Sequence, residues 1–278
     1  MTSKNPPTIA VFDSGIGGLS ILEAIGQRFP GARYVYGCDS KGFPYGTKTD
    51  QEVIDLVSDF IRELLARHQQ IEILVIACNT ASTVALEHLR SHLTKPIVGV
   101  VPALKPAAQM SRTATIGLLA TPATINRPYT QKLIEEFARG RRVLRQGSSV
   151  LVSLAEAKLR GGWAPEMLSL VAQELVPLFD QSPRENFKKL DTVVLGCTHF
   201  PHLLEELKKT APWPVQWIDS GQAIAARVGV LLDEGGYDLE SLRTPGTSAL
   251  SWYEPHREGN GSRPIPQMVY QLFGTVQS

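Results

Sequence analysis

Residues 194–201 read Val194-Leu195-Gly196-Cys197-Thr198-His199-Phe200-Pro201, and the order of residue types returns far upstream in Val75-Ile76-Ala77-Cys78-Asn79-Thr80-Ala81-Ser82. Each stretch is a short apolar run, a small residue, a cysteine, and then residues with hydrogen-bonding side chains. Apolar runs of this length read as buried strands, here over 73–77 and 192–196, with helices expected over 81–93 and 202–209. A thiol at such a junction faces backbone N–H groups and the positive end of a helix dipole, and both favour the thiolate. A lone cysteine beside an apolar run is most often an inert core residue. Two in matched strand-end settings, one in each half of the chain, point instead to paired acid–base chemistry on two faces of one small molecule.

Outward from these stretches the chain alternates strand and helix. Residues 9–12 form an apolar run that breaks into Asp13-Ser14-Gly15-Ile16-Gly17-Gly18, and a helix is expected over 19–28. A strand follows at 34–37, then a loop holding Pro44-Tyr45-Gly46, then a helix to about residue 68 capped by Thr49 or Asp50. Further strands are expected at 71–77, 96–101, 115–119, 142–144, 192–196 and 215–218. Helices are expected at 103–110, from 124 to about 138, and at 151–159, 165–179 and 222–232, with a closing helix at 267–273. The Gly-, Pro- and Ser-rich stretch 244–263 reads as an exposed loop or hairpin. This alternation gives mostly parallel sheets. The fold class expected is α/β, with two parallel-sheet domains: 1–100 plus 212–278, and 101–211. The return to the first domain rests on Ile218-Asp219-Ser220-Gly221, which echoes Phe12-Asp13-Ser14-Gly15.

Composition narrows the classes. A chain of 278 residues suffices for two cores. Its 43% hydrophobic and 20% charged content is ordinary for a globular protein, and a net charge of +1 with no basic stripe offers no footprint for nucleic acid. The three cysteines, Cys38, Cys78 and Cys197, are too few and too widely spaced for a disulfide framework and fit a reducing cytoplasm. No Cys-x-x-Cys or histidine cluster proposes a metal, and the glycines after residue 13 match neither G-x-G-x-x-G nor G-K-[ST]. The first eight residues lack the apolar core of a signal peptide, and no apolar run approaches the roughly 18 residues of a membrane span. No cofactor, metal, nucleic acid or membrane is therefore expected.

Ligands of open α/β sheets bind beyond the carboxyl ends of strands. Asp13, Ser14, Cys78, Asn79, Thr121, Cys197, Thr198 and His199 are all expected there. Two thiols without a cofactor suit inversion at a carbon acid: a thiolate removes the proton from one face and the opposite thiol supplies one to the other. Asn79, Thr80 and Thr198, with N–H groups at helix starts, suit a carboxylate, although Thr198 reads equally as a helix cap. Asp13 would orient Cys78 or a substrate ammonium, or simply form the turn. His199 is the natural helper of Cys197, or else an ordinary strand-end histidine. Tyr45 and Gly46 offer a hydroxyl and an N–H to a second carboxylate, or a plain Pro-Tyr-Gly turn. Cys38 reads as structural.

The segments Val11–Gly18, Pro44–Thr47, Ala77–Ser82, Gly99–Ala103, Gly196–Pro201 and Ile218–Gly221 together resemble the glutamate racemases of the cofactor-independent aspartate/glutamate racemase superfamily. The resemblance spans about residues 9–232. It implies two α/β domains related by pseudo-two-fold symmetry, with the active site in the cleft between them. It also implies Cys78 as the base toward D-glutamate, assisted by Asp13, and Cys197 as the base toward L-glutamate, assisted by His199, with Glu156 as an auxiliary acid. Substrate contacts are implied for Asp13, Ser14, Tyr45, Gly46, Asn79, Thr80, Thr198 and His199. Glutamate is the implied partner, a homodimer the candidate assembly, and D-glutamate for peptidoglycan in the cytoplasm the implied product. A sister enzyme acting on aspartate, or a binding protein on the same scaffold, stays open. The tail from Thr244 and the run Ser40-Lys41-Gly42-Phe43 depart from the family pattern.

Overall fold

Strand and helix alternate from Thr8 onward in the computed structural model, which describes residues 5–183, 185, 188–244, 249–255, 265–273 and 276–277. Among the described residues the strands are β1 (Thr8–Asp13), β2 (Arg33–Cys38), β3 (Ile71–Ile76), β4 (Ile97–Gly99), β5 (Thr115–Ala120), β6 (Arg142–Gly147), β7 (Thr192–Leu195), β8 (Gln216–Ile218), β9 (Leu250–Tyr253) and β10 (Val276–Gln277). The α-helices are α1 (Leu19–Arg28), α2 (Asp50–Arg67), α3 (Asn79–His92), α4 (Leu104–Met110), α5 (Pro122–Asn126), α6 (Pro128–Phe137), α7 (Val150–Leu159), α8 (Met167–Asp180), α9 (Leu204–Thr210), α10 (Gly221–Glu234), α11 (Leu239–Arg243) and α12 (Gln267–Phe273).

The chain divides into two units, Met1–Val100 with Gly221–Ser278, and Val101–Ser220. In the first, the described strands form one sheet in the order β10-β9-β2-β1-β3-β4, every pair parallel. Strand β1 lies inside it, and Ile9, Ala10, Val11 and Phe12 are fully buried. Burial on both faces is why β1 reads as a continuous apolar run without alternation. The Phe12 ring packs on Phe60 from α2 with centroids 4.7 Å apart, and Phe60 meets Tyr253 of β9 edge-on at 5.2 Å. Helix α2 starts at a reciprocal cap: the Glu52 N–H donates to Thr49 Oγ1 and the Thr49 N–H donates to a Glu52 carboxylate oxygen. Thr49, not Asp50, is therefore the cap.

In the second unit the order is β6-β5-β7-β8, again parallel throughout. Leu104, Ala107, Ile116, Leu118, Leu133 and Val194 share its core. The carboxylate of Asp191, just before β7, accepts from the Ser111 hydroxyl and from the Arg112 and Thr113 N–H groups. It thereby ties the end of α4 to the start of β7.

The structure departs from the sequence reading in four places. First, the helix expected from 124 to about 138 is two, α5 and α6, parted at Arg127, which is extended ahead of Pro128. Second, β8 pairs with β7, so the chain leaves the second unit after Ser220 and not at Pro212. The echo of Phe12-Asp13-Ser14-Gly15 at 218–221 is one of residue types only: Asp13 is fully buried and Asp219 is exposed. Third, the stretch 244–263 is not all loop. Residues 250–253 form β9, parallel to β2, with Leu250 and Trp252 buried. The apolar residues that make the strand were hidden by Gly and Pro on either side. The remainder of that expected loop, 245–248 and 256–263, lies outside the described residues. Fourth, the helix expected over 202–209 is α9 at Leu204–Thr210, shifted by two residues because Phe200–Leu203 form a 3-10 turn. Pro201 suits the first turn of such a segment. The closing helix α12 covers the expected residues 267–273. No helix among the described residues is long and apolar enough to cross a membrane.

Candidate active site: two strand-end thiols

In the first unit β1 and β3 are neighbours and end side by side, which brings the Asp13 turn beside Cys78. Cys78 is the N-cap of the 14-residue helix α3, and its sulfur accepts the Ala81 N–H at 3.5 Å. The helix starts two residues earlier than the sequence pattern predicts, which places the thiol on its first turn. A sulfur in that position lies at the positive end of the helix dipole. The Ser14 hydroxyl lies 3.6 Å from Cys78 Sγ and also donates to the Asp13 carboxylate at 3.2 Å. Asp13 accepts the Gly15 N–H as well, and Tyr36 holds the turn by donating to the Gly15 carbonyl at 3.0 Å. A β-carbon on Gly18 would stand 2.7 Å from Asp13 Cβ, so this turn needs glycine there for close approach.

Asn79 and Thr80 are buried beside Cys78. The Asn79 side-chain oxygen is buried and makes no hydrogen bond among the described residues. An unpaired buried amide oxygen costs about 1–3 kcal/mol unless a partner arrives. Ser82, one turn further, donates to the Ile76 carbonyl and accepts the Val100 N–H, fastening α3 to the ends of β3 and β4. Tyr45, in the 3-10 turn Tyr45–Thr47, is almost wholly buried, and its hydroxyl donates to Asp39 at 2.7 Å. Burial, and then the Asp39 carboxylate, push the Tyr45 hydroxyl far above its ordinary pKa. The Tyr45 proton is thus committed to Asp39, and the hydroxyl is not the free donor that the Pro-Tyr-Gly reading offered. Asp39 also accepts the Gly42 N–H.

In the second unit Cys197 follows β7, and its sulfur lies 3.7 Å from His199 Nδ1. His199 Nε2 lies 2.9 Å from Glu156 Oε1, and Arg160 Nε donates to Glu156 Oε2 at 3.1 Å. Cys197, His199 and Glu156 are all buried. A carboxylate only accepts, so Nε2 carries the hydrogen, and when the ring is neutral Nδ1 faces the thiol as an acceptor. Thr198 is buried next to Cys197, and Gly196 packs against Ala120 and Leu118, where a β-carbon would come within 3.1 Å of each.

The structure therefore groups Asp13, Ser14, Cys78, Asn79 and Thr80 in one unit, and Glu156, Cys197, Thr198 and His199 in the other. Tyr45 lies in the same core cluster as Cys78, and Gly46 follows it in the turn. Cys38 ends β2, is fully buried, and has no disulfide. Two polar partners escaped the sequence reading. Arg160 stands four residues after Glu156, a spacing that puts both on one helix face. It falls just beyond the expected end of that helix. Asp39 pairs with Tyr45 through an irregular loop, where no periodicity signals contact.

What these observations define is an α/β protein with a buried thiol at a sheet's carboxyl edge in each of two units. The chain belongs to the Asp/Glu/Hydantoin racemase family, whose model matches residues 19–228. It is 50% identical over 226 residues to a glutamate racemase of Pectobacterium atrosepticum, covering 81% of this chain and 76% of that one. It is 43% identical over 256 residues to a glutamate racemase of Vibrio parahaemolyticus, covering 91% and 90%. The Escherichia coli glutamate racemase, solved with L-glutamate and the activator UDP-MurNAc-ala, superposes with a TM-score of 0.83 at 37% identity, covering 98% of this chain and 97% of that one.

Proposed function

We propose that this protein is a glutamate racemase that interconverts L- and D-glutamate by proton transfer at Cα between two cysteine side chains. The observation that carries the reading is the pair of strand-end thiols, each with its own proton partner: Ser14 and Asp13 beside Cys78, and His199 with Glu156 beside Cys197.

With D-glutamate, the Cys78 thiolate takes the Cα proton and becomes a thiol. The electron pair of the broken C–H bond moves toward the α-carboxylate. The Cys197 thiol then gives its proton to the opposite face and is left as thiolate, which yields L-glutamate. With L-glutamate the roles exchange, so each turnover leaves the pair poised for the other enantiomer. This mechanism requires both thiols to reach one Cα from opposite sides. Asp13 and His199 tune their neighbouring thiols, and Glu156 holds His199. The unpaired Asn79 oxygen suits an N–H of the substrate ammonium. Buried N–H groups at the head of α3, with Thr80, suit a carboxylate. Ser14, Tyr45, Gly46 and Thr198 complete the substrate contacts, Tyr45 through its oxygen or ring because its proton is held by Asp39.

This reading places the enzyme in the cytoplasm, where three cysteines outside any disulfide stay reduced, and gives its product to peptidoglycan synthesis. The test is polarimetry of the dialysed protein with L-glutamate, D-glutamate, L-aspartate and a 5-substituted hydantoin. Decay of rotation to zero from both glutamate enantiomers is expected, with the other substrates slower. Turnover of aspartate or hydantoin with glutamate inert would contradict the reading.

A further inference from the structure

Beyond the two thiols and their immediate partners, α7 carries a second layer of ionic contacts. Arg160 is four residues beyond Glu156, and its guanidinium donates to the carboxylate oxygen that His199 does not use. The two Glu156 oxygens are thus divided, one to the imidazole and one to the guanidinium. On the same helix Lys158 donates to the His202 carbonyl at 2.8 Å and to both oxygens of Glu206 at 2.7 and 2.8 Å. These bonds fasten α7 to the 3-10 turn Phe200–Leu203 and to α9, the segment that directly follows His199. The Arg160 side chain is only 17% exposed, so its contact with Glu156 is shielded from solvent far more than an ordinary surface pair.

We propose that Arg160 is a positioning residue for the Cys197 thiol. It holds the Glu156 carboxylate in the one rotamer that accepts from His199 Nε2, and so fixes the imidazole as the Nε2–H tautomer with Nδ1 toward sulfur. Without Arg160 the carboxylate loses its charge-assisted contact on Oε2 and is held less firmly toward His199 Nε2. The ring would then populate the Nδ1–H form, whose hydrogen points at Cys197 and cannot accept the thiol proton. The contact is one charge-assisted bond from Nε, which a lysine at the same position can reproduce in charge and in part in direction. Arg160 touches no reacting atom and acts through Glu156 and His199. This role rests on the proposed use of Cys197 as an acid–base group.

The test uses the full-length protein labelled with ¹⁵N-histidine, compared with Arg160→Gln and Arg160→Lys, and with His199→Asn to assign the His199 resonances among the six histidines. In the unsubstituted protein, the His199 Nδ1 shift is expected to be that of an unprotonated ring nitrogen and the Nε2 shift that of an N–H. Arg160→Gln is expected to move both shifts toward a tautomer mixture, and Arg160→Lys to restore most of the difference. In parallel, Arg160→Gln should lower kcat for glutamate about tenfold, a fraction of the 10²–10⁴ that an acid–base group contributes, with KM changed less than about twofold. His199 shifts that are unchanged in Arg160→Gln overturn the proposal, whatever happens to activity. A shifted tautomer with unchanged kcat overturns it equally. The tautomer measurement needs no substrate, so it decides on Arg160 even if the protein proves inactive on glutamate, a result that would count against the functional reading instead.

Discussion

The Cys78 sulfur accepts an N–H at the head of a 14-residue helix, whereas the Cys197 sulfur faces an imidazole backed by a carboxylate. Both thiols are 6% exposed, so burial does not distinguish them. Their partners do. A helix terminus and a hydroxyl favour thiolate at Cys78 by electrostatics, while His199 offers Cys197 a place for its proton. The sequence showed that each cysteine ends a strand, because the apolar run stops there. It also offered them different helpers, Asp13 and His199, but did not show that Cys78 caps a helix while Cys197 precedes a 3-10 turn, since the two leave similar apolar patterns over a few residues. If each thiol serves one face of Cα, Cys78→Ala and Cys197→Ala should each lower racemisation by roughly 10³-fold or more while circular dichroism stays native. Cys38→Ala, at a fully buried position that pairs with Asp13 across β1 and β2 but lies in neither strand-end cysteine stretch, should keep most of the activity. Near-normal racemisation by either of the first two variants would rule out the assignment.

At the scale of elements, the turn after β1 and the start of α3 are set by the ends of β1 and β3, and those strands are held by the aromatic packing behind them. Phe60 of α2 touches both Phe12 and Tyr253 and is 5% exposed. Phe60→Ala should therefore cost about 3–5 kcal/mol of stability, read from the midpoint of urea unfolding. A change below about 1 kcal/mol would mean that the surrounding side chains refill the space. In the second unit Asp191 gives a pH signature. Burial pushes its carboxyl up, but hydrogen bonds from Ser111, Arg112, Thr113 and Thr192 outweigh burial and hold it below the usual carboxylate range. A depressed folded-state pKa contributes stability above the unfolded value of about 3.9, and that contribution is lost as pH falls through the folded value. Between about pH 5 and about pH 3, the melting temperature of the native protein should therefore fall more than that of Asp191→Asn. Parallel curves would remove Asp191 as a contributor. These ties join residues about eighty positions apart, and nothing local in the sequence announces them.

For the whole molecule, the order of strands and helices and the parallel pairing were legible because strand and helix periodicities alternate cleanly from residue 8 to residue 234. The strand-end residues around each thiol were legible for a topological reason: parallel strands deliver their carboxyl ends to one edge, so Asp13 and Cys78 had to be neighbours once β1 and β3 paired, whereas Glu156, on α7, came only from the family resemblance. What the sequence withheld depends on long-range pairing without a local signal. Strand β9 lies in a Gly- and Pro-rich stretch, and β8 could join either sheet until its pairing with β7 was seen. Asp39 and Arg160 were missed because each acts through another side chain and not through a motif.

The central claim is that two different sulfurs exchange protons with the two faces of one carbon. It is tested most directly by following L-glutamate racemisation in deuterated water at early times and separating the enantiomers before mass analysis. Two thiols predict D-glutamate that carries solvent deuterium at Cα in nearly every molecule, while the remaining L-glutamate keeps its protium. A D-glutamate product that retains the substrate's own proton, or deuterium appearing equally in both enantiomers from the start, would mean that one group serves both faces and would contradict the account.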